Sequence, residues 1–177
     1  RLLQDGNAHA VKLEGGEKVA ETVRWIVESG IPVMGHIGLT PQSVNQFGGY
    51  RIQGKGKKEA EQLIRDAAAL EQAGAFSVVL ELVPSLLSRV VTQRLTIPTI
   101  GIGAGPFCDG QVQVVHDILG QYPDFVPSHT RQYAKLAEAM AQAFSSYIVD
   151  VADGSFPSQK ESPGMDEKVV EGLEVNP

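Results

Sequence analysis

Apolar, strand-like segments alternate with segments of helical periodicity along most of this 177-residue chain. The predicted strands are Ala10–Glu14, Ile31–Ile37, Phe76–Leu82, Pro98–Ile102 and Val112–Val115. The predicted helices are Glu17–Ser29, Lys57–Ala73, Ser85–Arg94 and Arg131–Val151. A helix between two strands carries the chain back to the side where the next strand starts, so successive strands pair in parallel. The pattern therefore predicts an α/β protein with a parallel sheet, open or closed.

Glycines mark the ends of the first two helices, Gly30 and Gly74, as expected of residues that leave a helix in a left-handed conformation. No Gly-x-Gly-x-x-Gly opens a helix after the first strand, so a dinucleotide-binding fold has little support. A (β/α)8 barrel needs about 250 residues, whereas five strands are counted here. If the fold is such a barrel, about three βα units lie outside the chain.

Composition excludes several functional classes. A net charge of −6 and a pI near 5.2 argue against a surface that binds nucleic acid or anionic membranes. No apolar run approaches the roughly 20 residues of a membrane span. One cysteine, Cys108, excludes an internal disulfide and fits a reducing compartment, so a cytoplasmic location is expected. From Gly154 the composition turns to Ser, Pro, Gly, Lys and Glu, so we assign residues 154–177 to an acidic, flexible tail. Residues 1–153 form one folded part, which is the barrel if the fold is of that kind.

Polar residues lie at or near the carboxyl ends of three predicted strands: Glu14, His36 and Glu81. Lys12 shares a face with Glu14, because side chains two apart in a strand point to the same side. In parallel α/β proteins, ligands bind at this end of the sheet. Glu81 lies within the apolar run Val78–Pro84, which predicts a raised pKa or a cationic partner. A lone Lys-x-Glu pair or a lone histidine is often only structural, so the interpretation depends on the recurrence of the pattern.

Glycine-rich segments surround these candidates. The loop Ser43–Gly56, which follows the His36 strand, is predicted to serve as a lid. The turn Gly101–Gly105 resembles one that cradles a phosphate, although close strand packing explains its glycines equally well. The remaining histidines and the cysteine show no ligand spacing and are interpreted as structural: His9, His116, His129 and Cys108.

Several longer motifs occur in a fixed order along the chain. They are Val11–Gly16, Gly35–Asn45, Gly48–Tyr50 with Gln53–Gly54, Leu80–Pro84, and Gly101–Gly105 with Asp109–Gln111. Together they resemble the ketopantoate hydroxymethyltransferase (3-methyl-2-oxobutanoate hydroxymethyltransferase) family, from Val11 to Val115 and more loosely to Pro157. The resemblance implies a (β/α)8 TIM barrel, of which this chain carries the last five βα units, a carboxyl-terminal helix and a tail.

The resemblance also implies a reaction and a set of roles. The family transfers a hydroxymethyl group from 5,10-methylenetetrahydrofolate to 3-methyl-2-oxobutanoate, giving 2-dehydropantoate for pantothenate and coenzyme A synthesis. Mg²⁺ is expected to chelate the substrate. By motif, Glu14 corresponds to a metal ligand, Lys12 to the substrate-binding lysine, Glu81 to the proton acceptor and His36 to an active-site histidine. The residues that bind the folate are not identified, and the two other metal-site carboxylates of the family belong to strands that this chain does not contain.

Further partners follow from the same resemblance: the amino-terminal part of the same barrel, and identical subunits in a ring-shaped decamer. Two alternatives stay open at this point. One is a related metal-dependent barrel that acts as a carbon–carbon lyase on another 2-oxo acid. The other is a non-catalytic fragment that keeps only a subunit-contact surface.

Overall fold

The computed structural model describes residues 1–43, 51–171 and 173, and these separate into two compact units. The first unit contains residues 1–114 and 127–130, and the second contains residues 115–126 and 131–177. This division falls inside the segment 1–153 that the sequence assigns to one barrel. That domain assignment, like the predicted flexibility of the tail, stays a prediction.

The first unit contains a five-stranded parallel sheet whose strands pair in the order in which they occur in the chain. Its strands are β1 (Val11–Glu14), β2 (Val33–Gly38), β3 (Ser77–Glu81), β4 (Thr99–Ile102) and β5 (Gly110–Gln111). Its helices are α1 (Ala20–Glu28), α2 (Lys57–Gln72) and α3 (Ser85–Arg94), with 3₁₀ turns at Glu17–Val19 and Pro41–Ser43. The parallel α/β class is therefore confirmed, and sequential pairing is the arrangement that a (β/α)8 barrel requires.

The core lies between the helices and one face of the sheet. Gly35 in β2 packs against α2 so closely that a Cβ there would lie 2.7 Å from Leu70 Cδ1. Alternation along the strands puts Val33, Ile37, Val78 and Leu80 on this same face, and all are buried in the core. The opposite face, which carries Glu14, His36 and Glu81, is called the open face below.

Helices α1 and α2 end as the sequence predicts. After α1, Gly30 has φ +81°, its N–H donates to Val27 O, and the next N–H, of Ile31, donates to Ile26 O. After α2, Gly74 has φ +92° and makes the equivalent bond to Glu71 O. These paired bonds satisfy the last carbonyls of each helix and require a left-handed residue, which explains both glycines.

Two carboxylates tie loops to the start of β4. Glu71 Oε1 accepts bonds from Thr96 N, Thr96 Oγ1 and Ile97 N at 2.6, 2.8 and 3.2 Å. Partial burial opposes ionisation of Glu71, but these three donors outweigh it and lower its pKa. Asp109 Oδ2 accepts from Thr99 N at 2.8 Å and Thr99 Oγ1 at 3.0 Å, and these donors likewise lower the pKa of Asp109. Burial raises the pKa of the neighbouring Cys108 thiol, as expected of a structural cysteine.

The fifth strand was placed wrongly by the sequence. Strand β5 is Gly110–Gln111, not Val112–Val115, and Val115 begins the short helix α4 (Val115–Ile118). Val112 N still donates to Gly101 O, but the valines are 45–56% exposed, so the run is not a buried strand in the described structure. An apolar run without a buried face lacks the packing that would make it a strand.

The second unit is mainly one long helix, α5 (Leu136–Asp153), followed by the one-turn helix α6 (Glu167–Val170). Helix α5 begins five residues later than predicted from Arg131 and ends at Gly154, which has φ +79°. The predicted apolar stripe is present, but Met140, Phe144 and Tyr147 are exposed and no residue of α5 is buried. No helix in the described part of the chain is long and apolar enough to cross a membrane.

Candidate active site

Strand register brings the predicted site residues to the carboxyl ends of β1, β2 and β3, on the open face. Glu14 pairs with His36 across β1 and β2, and Gly38 pairs with Glu81 across β2 and β3. Lys12 precedes Glu14 by two residues and shares its face. All four residues singled out from the sequence therefore converge on one end of the sheet.

His36 is the centre of this group. Its side chain is buried, with the residue 1% exposed, although it belongs to the face of the sheet opposite the core. Lys12 Nζ lies 3.3 Å from Nδ1, within hydrogen-bonding distance, whereas Glu14 Oε1 lies 3.8 Å from the same nitrogen. On the other side of the ring, Glu81 Oε2 lies 3.0 Å from Nε2. Within the described part of the chain, the neighbour of the Glu81 carboxylate is thus this histidine and not a lysine or arginine, so the predicted cationic partner stays a prediction.

The contact between His36 and Glu81 is close but not aligned. Although Nε2 and Oε2 are 3.0 Å apart, His36 Nε2 is buried and makes no hydrogen bond to any group among residues 1–43, 51–171 and 173. The ring N–H direction therefore misses the carboxylate oxygen. A buried polar group without a partner costs about 1–3 kcal/mol, so this nitrogen is the polar atom of the group whose hydrogen bonding is not satisfied by the described residues.

The backbone around Glu81 is held in an unusual conformation. Gly38, opposite Glu81, has φ +92°, and a Cβ there would lie 2.2 Å from Glu81 O. That carbonyl accepts a bond from Leu39 N at 2.8 Å. The next residue, Leu82, has φ +48°, and its N–H and C=O bond to Ile102 O and Gln53 N at 2.9 Å each. A left-handed leucine persists only where its surroundings fix it, and such residues cluster at functional sites.

The turn after Glu14 is fixed by Asp66, a residue that was not predicted from the sequence. Asp66 on α2 accepts bonds from Glu17 N at 2.9 Å and Gln62 Nε2 at 3.0 Å. A Cβ on Gly16 would lie 2.0 Å from Asp66 Cγ, so only glycine leaves room for this carboxylate. In the sequence, this contact is marked only by Gly16, the second glycine of the Gly15-Gly16 pair, whose place no local turn explains. Glu14 Oε2 itself accepts from Gln42 N at 3.1 Å.

Close packing explains the glycine-rich turn after β4. A Cβ on Gly103 would lie 2.8 Å from Leu82 Cδ2 and 3.0 Å from His129 Cγ, and one on Gly105 would lie 2.3 Å from Ser85 Cβ. The structural alternative for this turn is therefore favoured over a phosphate cradle. His129 contacts this turn, in agreement with its interpretation as a structural histidine. Of the predicted lid, residues 44–50 lie outside the described residues.

Glu14 is the predicted metal ligand among the described residues. Glu14 offers a hard carboxylate oxygen, Oε1, which accepts no hydrogen bond from the described residues, and such oxygens are the ligands that Mg²⁺ prefers. No group of three acidic, histidine or cysteine side chains within those residues is arranged to hold a metal ion. The donor chemistry fits one ligand of a Mg²⁺ site, not a complete set.

Comparison with known proteins identifies the family of this chain. The sequence model of the ketopantoate hydroxymethyltransferase family matches residues 1–159, most of the chain. The chain belongs to the ketopantoate hydroxymethyltransferase family. It is 57% identical over 173 residues to a 3-methyl-2-oxobutanoate hydroxymethyltransferase of Dehalococcoides mccartyi, covering 98% of this chain and 61% of that protein. It is 52% identical over 173 residues to the Clostridium beijerinckii protein of the same name, covering 98% and 63%.

A third relative, from Chloroflexus aurantiacus, carries the same name and is 56% identical over 166 residues, which cover 94% of this chain and 59% of the relative. The chain thus spans about three fifths of the length of the curated relatives that it matches. Family membership is shown, and the family resemblance inferred from the motifs is confirmed. What a complete ketopantoate hydroxymethyltransferase does is taken up next as a proposal for this protein.

Proposed function

We propose that this chain is part of an enzyme that transfers a hydroxymethyl group from 5,10-methylenetetrahydrofolate to 3-methyl-2-oxobutanoate, giving 2-dehydropantoate for pantothenate synthesis. The observation that carries the proposal is the convergence of Lys12, Glu14, His36 and Glu81 at one end of the sheet, in a chain of this family. The names of the relatives support the reaction class.

Glu81 is the proposed base. Its side chain is 16% exposed, so a small substrate can reach it, and its backbone is fixed by neighbouring strands. The carboxylate removes the single proton on carbon 3 of the 2-oxo acid, and the electron pair of that C–H bond forms an enolate. Water hydrolyses the two C–N bonds of the folate methylene, which releases tetrahydrofolate and a formaldehyde unit. The enolate carbon then attacks the carbonyl carbon of that unit, and its oxygen takes up a proton to become the hydroxyl group of 2-dehydropantoate. A rigid base held beside a small substrate lowers the barrier chiefly by proximity.

The other two charged residues bind and orient the substrate. The Lys12 ammonium is proposed to pair with the substrate carboxylate, which would orient carbon 3 toward Glu81. Glu14 is proposed as one oxygen ligand of Mg²⁺. When bound, Mg²⁺ would supply positive charge at the keto oxygen, where the enolate charge develops.

The family membership extends this proposal to the whole protein. We propose that the described sheet forms five units of a (β/α)8 barrel, closed by the amino-terminal part of the same polypeptide, which would supply the remaining metal ligands. On the open face, the half-exposed apolar side chains of Met34, Ile100 and Ile102 support a covering layer of this kind. A homo-oligomer and a cytoplasmic location are further expectations from the family.

Exchange of the carbon-3 proton tests the assigned base. In the complete polypeptide with Mg²⁺, deuterium from solvent should enter carbon 3 of 3-methyl-2-oxobutanoate, and Glu81→Gln should slow this exchange by about 100-fold or more. Glu61→Gln, which changes an exposed carboxylate on α2, is the matched control and should leave the rate unchanged. Exchange at the wild-type rate in Glu81→Gln would exclude Glu81 as the base.

The same preparation separates the alternatives. Product that forms only when 5,10-methylenetetrahydrofolate is supplied supports the transferase. Cleavage of another 2-oxo acid without folate would support the lyase. A complete polypeptide that neither binds Mg²⁺ nor exchanges the proton would support a non-catalytic role.

A further inference from the structure

The contacts of His36 determine which ring nitrogen carries its hydrogen. A lysine ammonium has three donors and no acceptor, so Lys12 can bond to Nδ1 only if that nitrogen presents a lone pair. Glu14 Oε1, the competing acceptor for an Nδ1 hydrogen, lies 3.8 Å away, too far for a hydrogen bond. In a neutral ring the hydrogen then resides on Nε2, which faces Glu81.

The opposite tautomer would be unfavourable on both sides of the ring. A hydrogen on Nδ1 would point toward the Lys12 ammonium at 3.3 Å, so that two donors would face each other. The lone pair on Nε2 would then lie 3.0 Å from the carboxylate oxygen of Glu81, so that two acceptors would face each other. Burial strengthens both repulsions, because the histidine is 1% exposed.

We propose that Lys12 locks His36 in the Nε2–H tautomer, so that His36 is a positioning residue for Glu81 and not a second base. The N–H restrains Oε2 after a small rotation of the partly exposed Glu81 side chain, which leaves Oε1 to receive the substrate proton. Lys12 thus acts twice, on the substrate and, through His36, on the base. The assignment of Glu81 as base rests on the proposed function, whereas the tautomer rests on the geometry alone.

The tautomer can be measured without any activity. In the ¹⁵N-labelled complete polypeptide, long-range ¹H–¹⁵N correlation distinguishes a ring nitrogen that carries hydrogen from one that does not. Signals of His36 are identified by their loss in His36→Gln. The expected result is a hydrogen on Nε2 in the wild type and gain of a hydrogen on Nδ1 in Lys12→Met, where Glu14 becomes the nearest partner of Nδ1.

Lys18→Met, which removes an exposed lysine from the turn before α1, is the control and should leave the tautomer unchanged. A hydrogen on Nδ1 in the wild type would overturn the proposal, and so would an unchanged ring in Lys12→Met. Because neither measurement needs turnover, an inactive protein would count against the proposed function without deciding the tautomer.

Kinetics test the positioning role itself. The amide of His36→Gln offers a donor near the place of Nε2, so this variant should keep most of the exchange rate. His36→Leu should lower kcat for exchange by about 100-fold with little change in KM, as expected when a reacting group is misplaced. Equal losses in both variants, with His36→Gln folded by circular dichroism, would show that donation to Glu81 is not what His36 provides.

Discussion

Gly38 links the conformation of β2 directly to the proposed base, and Gly38→Ala is therefore a sharp test of the structure. At φ +92°, a residue with a side chain is strained by about 1–2 kcal/mol. The new Cβ would also lie 2.2 Å from Glu81 O and 2.8 Å from Val83 Cγ2, distances that require the backbone of β3 to move. Overpacking of this kind costs about 1–3 kcal/mol, so the total loss of stability is about 2–5 kcal/mol.

Gly30 provides a matched control. It too has a positive φ, +81°, but a Cβ there meets nothing within 4 Å. Gly30→Ala should therefore cost only the backbone term of about 1–2 kcal/mol. Both substitutions change the entropy of the unfolded chain alike, so this contribution cancels in the comparison.

The assay is urea denaturation of the wild type and the two variants, followed by proton exchange with the folded protein. Gly38→Ala should lose at least about 1 kcal/mol more than Gly30→Ala, since overpacking alone contributes that much. It should also lose exchange activity because Glu81 is displaced. Equal destabilisation of the two variants, with normal exchange in Gly38→Ala, would refute the argument that contact with the Glu81 backbone requires a glycine at this position.

Two further predictions concern the residues that hold the loops. The lowered pKa values of Glu71 and Asp109 mean that their stabilisation is complete above the carboxyl pKa of the unfolded chain and is lost as the pH falls through the folded-state pKa. In acid titrations followed by circular dichroism, Glu71→Gln should lose less stability than the wild type between about pH 6 and pH 3, and an identical pH dependence would contradict the assignment. Asp66→Ala removes the acceptor of the Glu17 N–H and should cost about 1 kcal/mol in urea denaturation, as loss of a helix cap does, whereas Asp66→Asn keeps an acceptor and should cost less. A cost for Asp66→Asn equal to that of Asp66→Ala would assign the effect to charge.

Residues that act through periodicity or backbone conformation could be predicted from the sequence. The helices α1 and α2 were found because buried apolar residues recur at helical spacing and each helix is followed by a glycine that ends it. Strand β3 was predicted because its segment is apolar almost without interruption, as expected of a strand that is covered on both faces. Four of its five residues are indeed buried. Glu14, His36 and Glu81 could be grouped because parallel strands bring their carboxyl ends to one edge.

What the sequence could not give were contacts between segments far apart in the chain. Asp66 lies 49 residues from Glu17, and no spacing rule connects an aspartate within α2 to the turn after β1. The two-residue strand β5 is too short for any periodicity, and its place is decided by pairing with Ile100 and Gly101. The approach of Lys12 to His36 depends on the register of β1 and β2, since Glu14 and not Lys12 is the strand partner of His36.

The described residues contain a proton-transfer group and one oxygen of the proposed metal site. Proton exchange and Mg²⁺ binding therefore test different residues. His36 contacts Lys12 and Glu81 through atoms that lie within 3.3 Å, so the tautomer of His36 is a property of these three strands. Glu14 is different, because a Mg²⁺ ion needs about six oxygen ligands and no group of three acidic, histidine or cysteine side chains among the described residues is arranged to hold one. His36→Leu should therefore slow proton exchange without altering Mg²⁺ affinity, whereas Glu14→Gln should weaken Mg²⁺ binding and leave the tautomer of His36 in place. A Glu14→Gln variant whose histidine changed tautomer would show that the 3.8 Å contact with Glu14, and not the lysine, controls the ring.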